Sequence, residues 1–359
     1  MLSIGPIRLD QPVAQAALSG YSDLAMRRVA RLHGAPYTLN EVVLDKLVLV
    51  RGRKQRFITR LPPDDHPVGG QLMGSEPAVF AQAAGVLVEA GYDCVDINFG
   101  CPVRKVLGRC RGGFLLSQPQ IALEIIRCVL EAVAGRRPVT LKMRRGMDAS
   151  ARSEHDFFTI LDGAMETGLA AVTVHARTVQ QRYEGPSDWS FLARVKRHVD
   201  DRIVLGSGDL FTAEDCIRMM NQTGVDGVTV ARGGIGYPWI FEEIRALLAG
   251  KPRPVPPSVA RQGQTIRRHY AWAVDLYGPK VACKVMPKFG IKYSELHPDD
   301  LAVRDAFIQV RTSQDWEAVM RQWYDPDREW PPARHRLGPG HLIAAGGSCK
   351  QTHLADPKR

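Results

Sequence analysis

Eight short runs rich in β-branched and apolar residues recur along the first 231 positions: VAQAAL (13–18), PYTLNE (36–41), PVGGQL (67–72), DCVDIN (93–98), PVTLKM (138–143), AVTVHA (171–176), RIVLGS (202–207) and DGVTVA (226–231). A sandwich repeats its strands every 8 to 12 residues or so, whereas these runs lie far enough apart for a helix between each pair. The stretch 75–91 carries apolar residues at helical spacing and ends in Gly91, where a left-handed cap falls; 117–134 and 153–168 read the same way. Strands alternating with helices imply a parallel sheet. Eight repeats favour closure into an α/β (βα)8 TIM barrel over an open doubly wound sheet. ARGGIGYP contains a GxG, but it follows the last strand and completes no GxGxxG dinucleotide fingerprint.

The pattern changes after Leu248. AGKPRPVPPS reads as a linker, and 258–324 turns helical throughout, so a small all-helical C-terminal domain is expected after a barrel spanning 1–248. Residues 325–359 combine low apolar density with many breakers and are expected to form a disordered tail, in which Cys349 has no assigned role. No run approaches the roughly 18 apolar residues of a membrane span, and the N-terminus lacks a basic segment followed by an apolar one. A cytoplasmic protein without membrane contact is expected, and nothing demands more than a monomer. The seven cysteines (94, 101, 110, 128, 216, 283 and 349) are odd in number and scattered without a CxxC, so neither a disulfide framework nor a metal site is indicated. Lys and Arg number 48 against 38 Asp and Glu, a net charge of +10. That excess suits a polyanionic partner and equally suits a simple solubility device.

In a closed parallel barrel the βα loops converge at the C-terminal ends of the strands, and chemistry collects there. Gln71, Lys142 and His175 end the third, fifth and sixth runs. One Lys or His in such a place serves as readily as a satisfied structural residue, but three around one rim suit an electron-rich ring or a phosphate. The last two loops, GSGDLFT and ARGGIGYP, are glycine-rich and precede helices, which fits a phosphate anchor with Arg232 as charge partner. Cys101, between Gly100 and Pro102, stands on a loop at this face and is followed by Arg104, Lys105, Arg109 and Arg111. That charge is expected to lower its thiol pKa. It could act as a nucleophile or as a proton donor and acceptor; the absence of a Cys/His/Asn protease signature argues against the first.

INFGCPVRKV, VTLKMRRG, VTVHARTVQQRYEGPSDWSFLARVK, GSGDL and GVTVARGGIGYPWIF, with the opening GPIRLDQPV, together resemble the flavin-dependent tRNA-dihydrouridine synthases in content, order and spacing, from about residue 4 to 324. The resemblance implies FMN across the barrel mouth. Ala17, Leu18 and Ser19 would lie beneath the ring, Gln71, Lys142 and His175 would hydrogen-bond to it, and Ser207, Gly208, Asp209, Ala231 and Arg232 would hold its phosphate. Asn98, Arg144 and Arg182 would orient the uracil. The implied reaction is NADPH-driven reduction of uridines in tRNA, with flavin hydride delivered to C6 and Cys101 protonating C5 as general acid. The same features leave room for a flavin barrel acting on free pyrimidines or another RNA, or for an RNA-binding protein that has lost its flavin.

The family's Pro-Met-Ala is here Ala17-Leu18-Ser19, its Asn-Gly-Asp begins with Ser207, and small residues after its Cys loop become Cys110 and Arg111. Arg104, Lys105, Arg109, Arg111, Arg144 and Arg145, with Arg267, Arg268, Lys280, Lys284, Lys288 and Lys292 of the helical region, are expected to form one basic track for tRNA, with no role for DNA.

Overall fold

The computed structural model describes residues 1–334 and 336. Its centre is a ring of eight parallel strands: β3 (Val13–Gln15), β4 (Thr38–Leu39), β6 (Val68–Met73), β7 (Cys94–Phe99), β8 (Val139–Arg144), β9 (Ala171–His175), β10 (Val204–Ser207) and β11 (Gly227–Val230). Closure comes from β11 pairing back on β3, Val228 opposite Val13 and Val230 opposite Gln15. Each of the eight strands lies in its sequence run, three of them (ending at Met73, Phe99 and Arg144) running one residue past it, so the barrel is as expected.

Two further elements were not anticipated. Strands β1 (Leu2–Ile4) and β2 (Ile7–Leu9) form an antiparallel hairpin, turned by Gly5 at φ 56° followed by Pro6, a sequence that suits a two-residue turn. Leu2, Ile4 and Leu9 pack with Ala14, Tyr37, Cys94, Ala171 and Leu205, so the hairpin seals the floor of the barrel. A short β5 (Val43–Leu44) also pairs with the end of β6.

The outer helices begin and end where local chemistry dictates. Pro77 and Pro119 occupy first-turn positions, Asp23, Ser150 and Asp188 cap their helices with side-chain oxygens, and Thr212 with Asp215 forms a capping box. The helix Pro77–Glu89 is followed by Gly91 at φ 95°, in the expected left-handed region.

Among the described residues five α-helices follow the proline-rich segment: Val259–Tyr277, Pro279–Val285, Pro287–Tyr293, Asp300–Gln309 and Ser313–Trp323. Their core includes Trp316 stacked on Tyr270 with ring centroids 4.4 Å apart. They dock on the rim of the barrel. Tyr277 donates to Asp23 at 2.8 Å, Lys288 donates to the Gly20 carbonyl and covers the Tyr21 ring, and Gly236, at φ 67°, lies so close to Lys292 that a Cβ would come within 2.5 Å of its backbone.

Most of the expected tail, 335 and 337–359, lies outside the described residues, Cys349 included. Its first stretch packs on the helices: the Arg334 N–H donates to the Leu296 carbonyl at 2.9 Å, and the Trp330 ring lies 4.8 Å from His297. Among the described residues no helix is long and apolar enough to cross a membrane, and no cluster of His, Cys, Asp and Glu could hold a metal ion.

Candidate active site

The C-terminal ends of the strands surround a cavity of about 410 Å³. Ala17, Leu18 and Ser19 reach it from the loop after β3, Gln71 from β6, Asn98 and Cys101 from β7, Lys142 and Arg144 from β8, and His175 from β9. Ser207, Gly208 and Asp209 follow from β10, and Ala231 and Arg232 from β11. Of the residues assigned in the sequence to catalysis, cofactor or uracil, Arg182 alone does not line it. Arg182 sits at φ 50°, and its carbonyl accepts from Arg144 Nη1 at 2.7 Å, while its neighbour Tyr183 faces the cavity instead.

Register places Gln71, Asp96 and Thr140 side by side on β6, β7 and β8, and a chain of short hydrogen bonds runs up from them. Thr140 Oγ1 donates to one Asp96 oxygen and Gln71 Nε2 to the other, both at 2.6 Å. Gln71 Oε1 accepts from Asn98 Nδ2 at 2.6 Å. Asn98 Oδ1 in turn accepts the N–H groups of Gly100 at 2.9 Å and Cys101 at 3.1 Å. A carboxylate can only accept and a backbone N–H can only donate, so both ends fix the direction of the two amides between them. Arg144 braces the same loop from the far side, with Nε on the Gly100 carbonyl at 3.0 Å and Nη1 on the Thr178 carbonyl at 2.9 Å.

The expected lowering of the Cys101 thiol is not found. Burial pushes it up, outweighing the pull of Arg144 and Lys142, so the side chain is held as the neutral thiol. Lys142 has no hydrogen bond or ion pair among the described residues. Burial first, and the Arg144 charge second, bring its amine from 10.5 down to about 8, against the opposing pull of Asp96. His175 is held far below its ordinary value by burial and by Lys142, Arg144, Arg177 and Arg232. Its Nδ1 accepts the Arg177 N–H at 3.2 Å, which leaves the neutral ring's proton on Nε2.

At the far end, the N–H groups of Gly208, Asp209, Arg232 and Gly233 make no hydrogen bond among the described residues. Gly208 has φ 120°, and a Cβ there would come within 2.9 Å of Ser187 Cβ. Arg177 binds Asp209 through Nη2 at 2.7 and 2.8 Å, and Ser187 N–H adds another donor at 2.8 Å. The Asp209 carboxylate is therefore spent on cations, and what this residue can offer an anion is its backbone N–H. Arg177 Nη1 is buried without a partner. Arg232 lies between the rings of Tyr183 and Phe211, 4.8 and 4.9 Å from their centroids.

Arg177, which the sequence places beside His175 at the end of the sixth run, is part of the site through Asp209; sequence reasoning missed Asp96, Tyr183 and Phe211. Alternation along DIN, which sends Asp96 and Asn98 to the same face of β7, was the available signal for Asp96. The other two sit on loops without periodicity.

The basic track is only partly open. Arg104, Lys105 and Arg109 beside Cys101, and Arg268, Lys280 and Lys284 on the helices, are exposed. Arg144 is buried, Arg267 donates to the carbonyls of Tyr324 and Met320 at 3.1 Å, and Lys292 pairs with Glu295 at 2.9 Å. Arg144 and Arg267 are engaged inside the fold and Lys292 is paired at the surface, so the track is narrower than charge counting suggested.

The family profile described as dihydrouridine synthase (Dus) matches residues 14–325. A protein of Mycobacterium tuberculosis named a probable tRNA-dihydrouridine synthase is 34% identical over 328 residues, covering 89% of this chain and 84% of the relative. One of the same name from Rickettsia conorii is 33% identical over 307 residues, covering 85% and 91%. Among solved structures, histamine dehydrogenase from Rhizobium sp. 4-9 superposes with a TM-score of 0.55 at 16% identity, covering 75% of this chain and 50% of that one. Morphinone reductase in complex with tetrahydroNAD gives 0.52 at 14% identity, covering 71% and 92%. These two likenesses concern the fold.

Proposed function

The chain belongs to the dihydrouridine synthase family, and from that premise we propose that it reduces uridines of tRNA to 5,6-dihydrouridine, with FMN as bound flavin and NADPH as the reductant. The residues present fit that cofactor. The cavity is of the size that encloses such a ligand, Gly208 with Ser187 beside it carries no side chain to cover its own N–H, and unpartnered N–H groups with Arg177 Nη1 and Arg232 suit a phosphate. Thr229 Oγ1, buried and unpartnered, lines the same space. A barrel that binds RNA without flavin would leave these donors unexplained.

Bound flavin supplies the hydride. Lys142 would hold an ammonium toward the negative charge that a reduced flavin carries, and the His175 Nε2–H would add a neutral donor on the same rim. Asn98, Arg144 and Tyr183, which line the same cavity, would border the uracil, with Arg182 acting through its carbonyl on Arg144. Cys101 gives its proton to C5 as the double bond is reduced, a task worth about 10² to 10⁴ in rate for a well-placed acid. The observation that carries this reading is the neutral, half-buried Cys101 thiol facing Lys142 and His175 around one cavity. The exposed Arg104, Lys105 and Arg109 beside it suit RNA phosphates.

Dihydrouridine content of tRNA from cells with and without the gene tests the reading, and unchanged content at every position would overturn it. A Cys101→Ala protein is expected to bind flavin normally and form no product.

A further inference from the structure

We infer that Arg336, eleven residues past the segment matched by the family profile, is a positioning residue that sets the phosphate-facing loop after β11 from behind. This rests on the reading of that loop as the flavin-phosphate anchor.

The unpartnered N–H groups of Arg232 and Gly233 stay together only while the 3₁₀ turn Arg232–Gly234 keeps its shape, with the Gly234 N–H on the Ala231 carbonyl at 3.1 Å and the Ile235 N–H on the Arg232 carbonyl at 3.2 Å. The carbonyls that follow, of Gly233 and Ile235, belong to buried residues, and a buried carbonyl needs a donor. Arg336 Nη1 supplies it, at 2.7 Å to Gly233 and 3.3 Å to Ile235. The side chain is 10% exposed, its Nη2 lies 3.5 Å from Glu295 of the docked helices, and its guanidinium lies 5.4 Å from the Tyr237 ring. Arg334, paired with Asp300 at 2.8 Å, ties the approaching chain to those helices. The loop has little other freedom: Gly233 lies against the Leu210 carbonyl, and Gly236 is wedged on Lys292.

The test compares FMN with riboflavin, which lacks the phosphate, on full-length flavin-free protein by fluorescence quenching. In Arg336→Met, FMN affinity is expected to fall about tenfold, the cost of losing a charged hydrogen bond, while riboflavin affinity stays within about twofold. Arg336→Lys, which keeps a cationic donor, is expected to restore most of the difference. Unchanged FMN affinity, or an equal loss for both flavins, overturns the inference, since general loosening of the fold makes no distinction between them. Should the methionine variant not fold, Arg336→Gln, which keeps an N–H donor, decides the matter by the same selective loss or its absence. If the wild-type protein itself binds both flavins alike, the phosphate reading of the loop fails, an outcome separate from a wild-type preference that the variants leave intact.

Discussion

Lys142 is a charged amine held in a cavity without an ion-pair partner, and that arrangement has a measurable cost. Its amine is brought from 10.5 to about 8, which at about 1.36 kcal/mol per tenfold step corresponds to about 3 kcal/mol of lost stability. The sign follows from proton counting. Below pH 8 the amine is charged both folded and unfolded, and the full penalty applies. Between about 8 and 10.5 the unfolded chain holds a proton that the folded one has released, so stability rises with pH and the penalty disappears. Replacing Lys142 by Met removes the charge at similar length, with a packing change worth under about 1.5 kcal/mol. The flavin-free Lys142→Met protein should therefore be more stable than wild type at pH 7 by about 2 kcal/mol, and the gap should close by pH 10. Urea unfolding at both pH values measures it through the transition midpoint. A variant no more stable than wild type at pH 7, or equally stabilised at both pH values, would refute the reasoning. Affinity for reduced flavin should change in the opposite direction, because the ammonium is then absent when the anionic reduced ring is seated.

Other perturbations probe other parts of the site. Asp96→Asn removes the carboxylate that directs the Gln71 and Asn98 amides; kcat should fall about tenfold or more with KM for tRNA little changed, and an unaltered kcat would show the relay to be incidental. Cys110 holds φ 53° although it carries a side chain, so Cys110→Gly should gain about 0.5–1 kcal/mol in urea unfolding; a loss would mean the thiol makes contacts that matter. Gly208→Ala would have to adopt φ 120° against Ser187, and the purified protein should carry a small fraction of the wild-type flavin. A fully yellow variant contradicts that.

The barrel was legible because strand and helix differ in period, and eight runs at helix-sized intervals admit few closures. The floor hairpin was not: two three-residue strands around Gly5-Pro6 offer too short a pattern. Strand-end residues could be read because polar side chains stand out against apolar runs. Asp96 lay hidden inside such a run, and its partnership with Gln71 needs the register of β6 on β7, which no single strand displays. The direction of the Cys101 shift was misread for a related reason. Sequence displays nearby charges but not the depth at which a thiol sits, and depth prevails here. Arg182 and Tyr183 exchanged places because a loop residue's facing follows from its φ, set here by the Arg144 and Arg177 contacts with neighbouring carbonyls.

Closure of β3 on β11 joins residues 13–15 to 227–230, and that pairing has a meaning in time. A ribosome adding about 5 to 20 residues per second separates the emergence of these two strands by roughly ten to forty seconds. Throughout that interval the first strand has no partner on one edge and the cofactor has no seat. Nascent chains arrested before residue 226 should hold no flavin, and those released after Arg336 should capture it at once. The last-made strand of the barrel is thus the keystone of a pocket whose first stones are laid with the first.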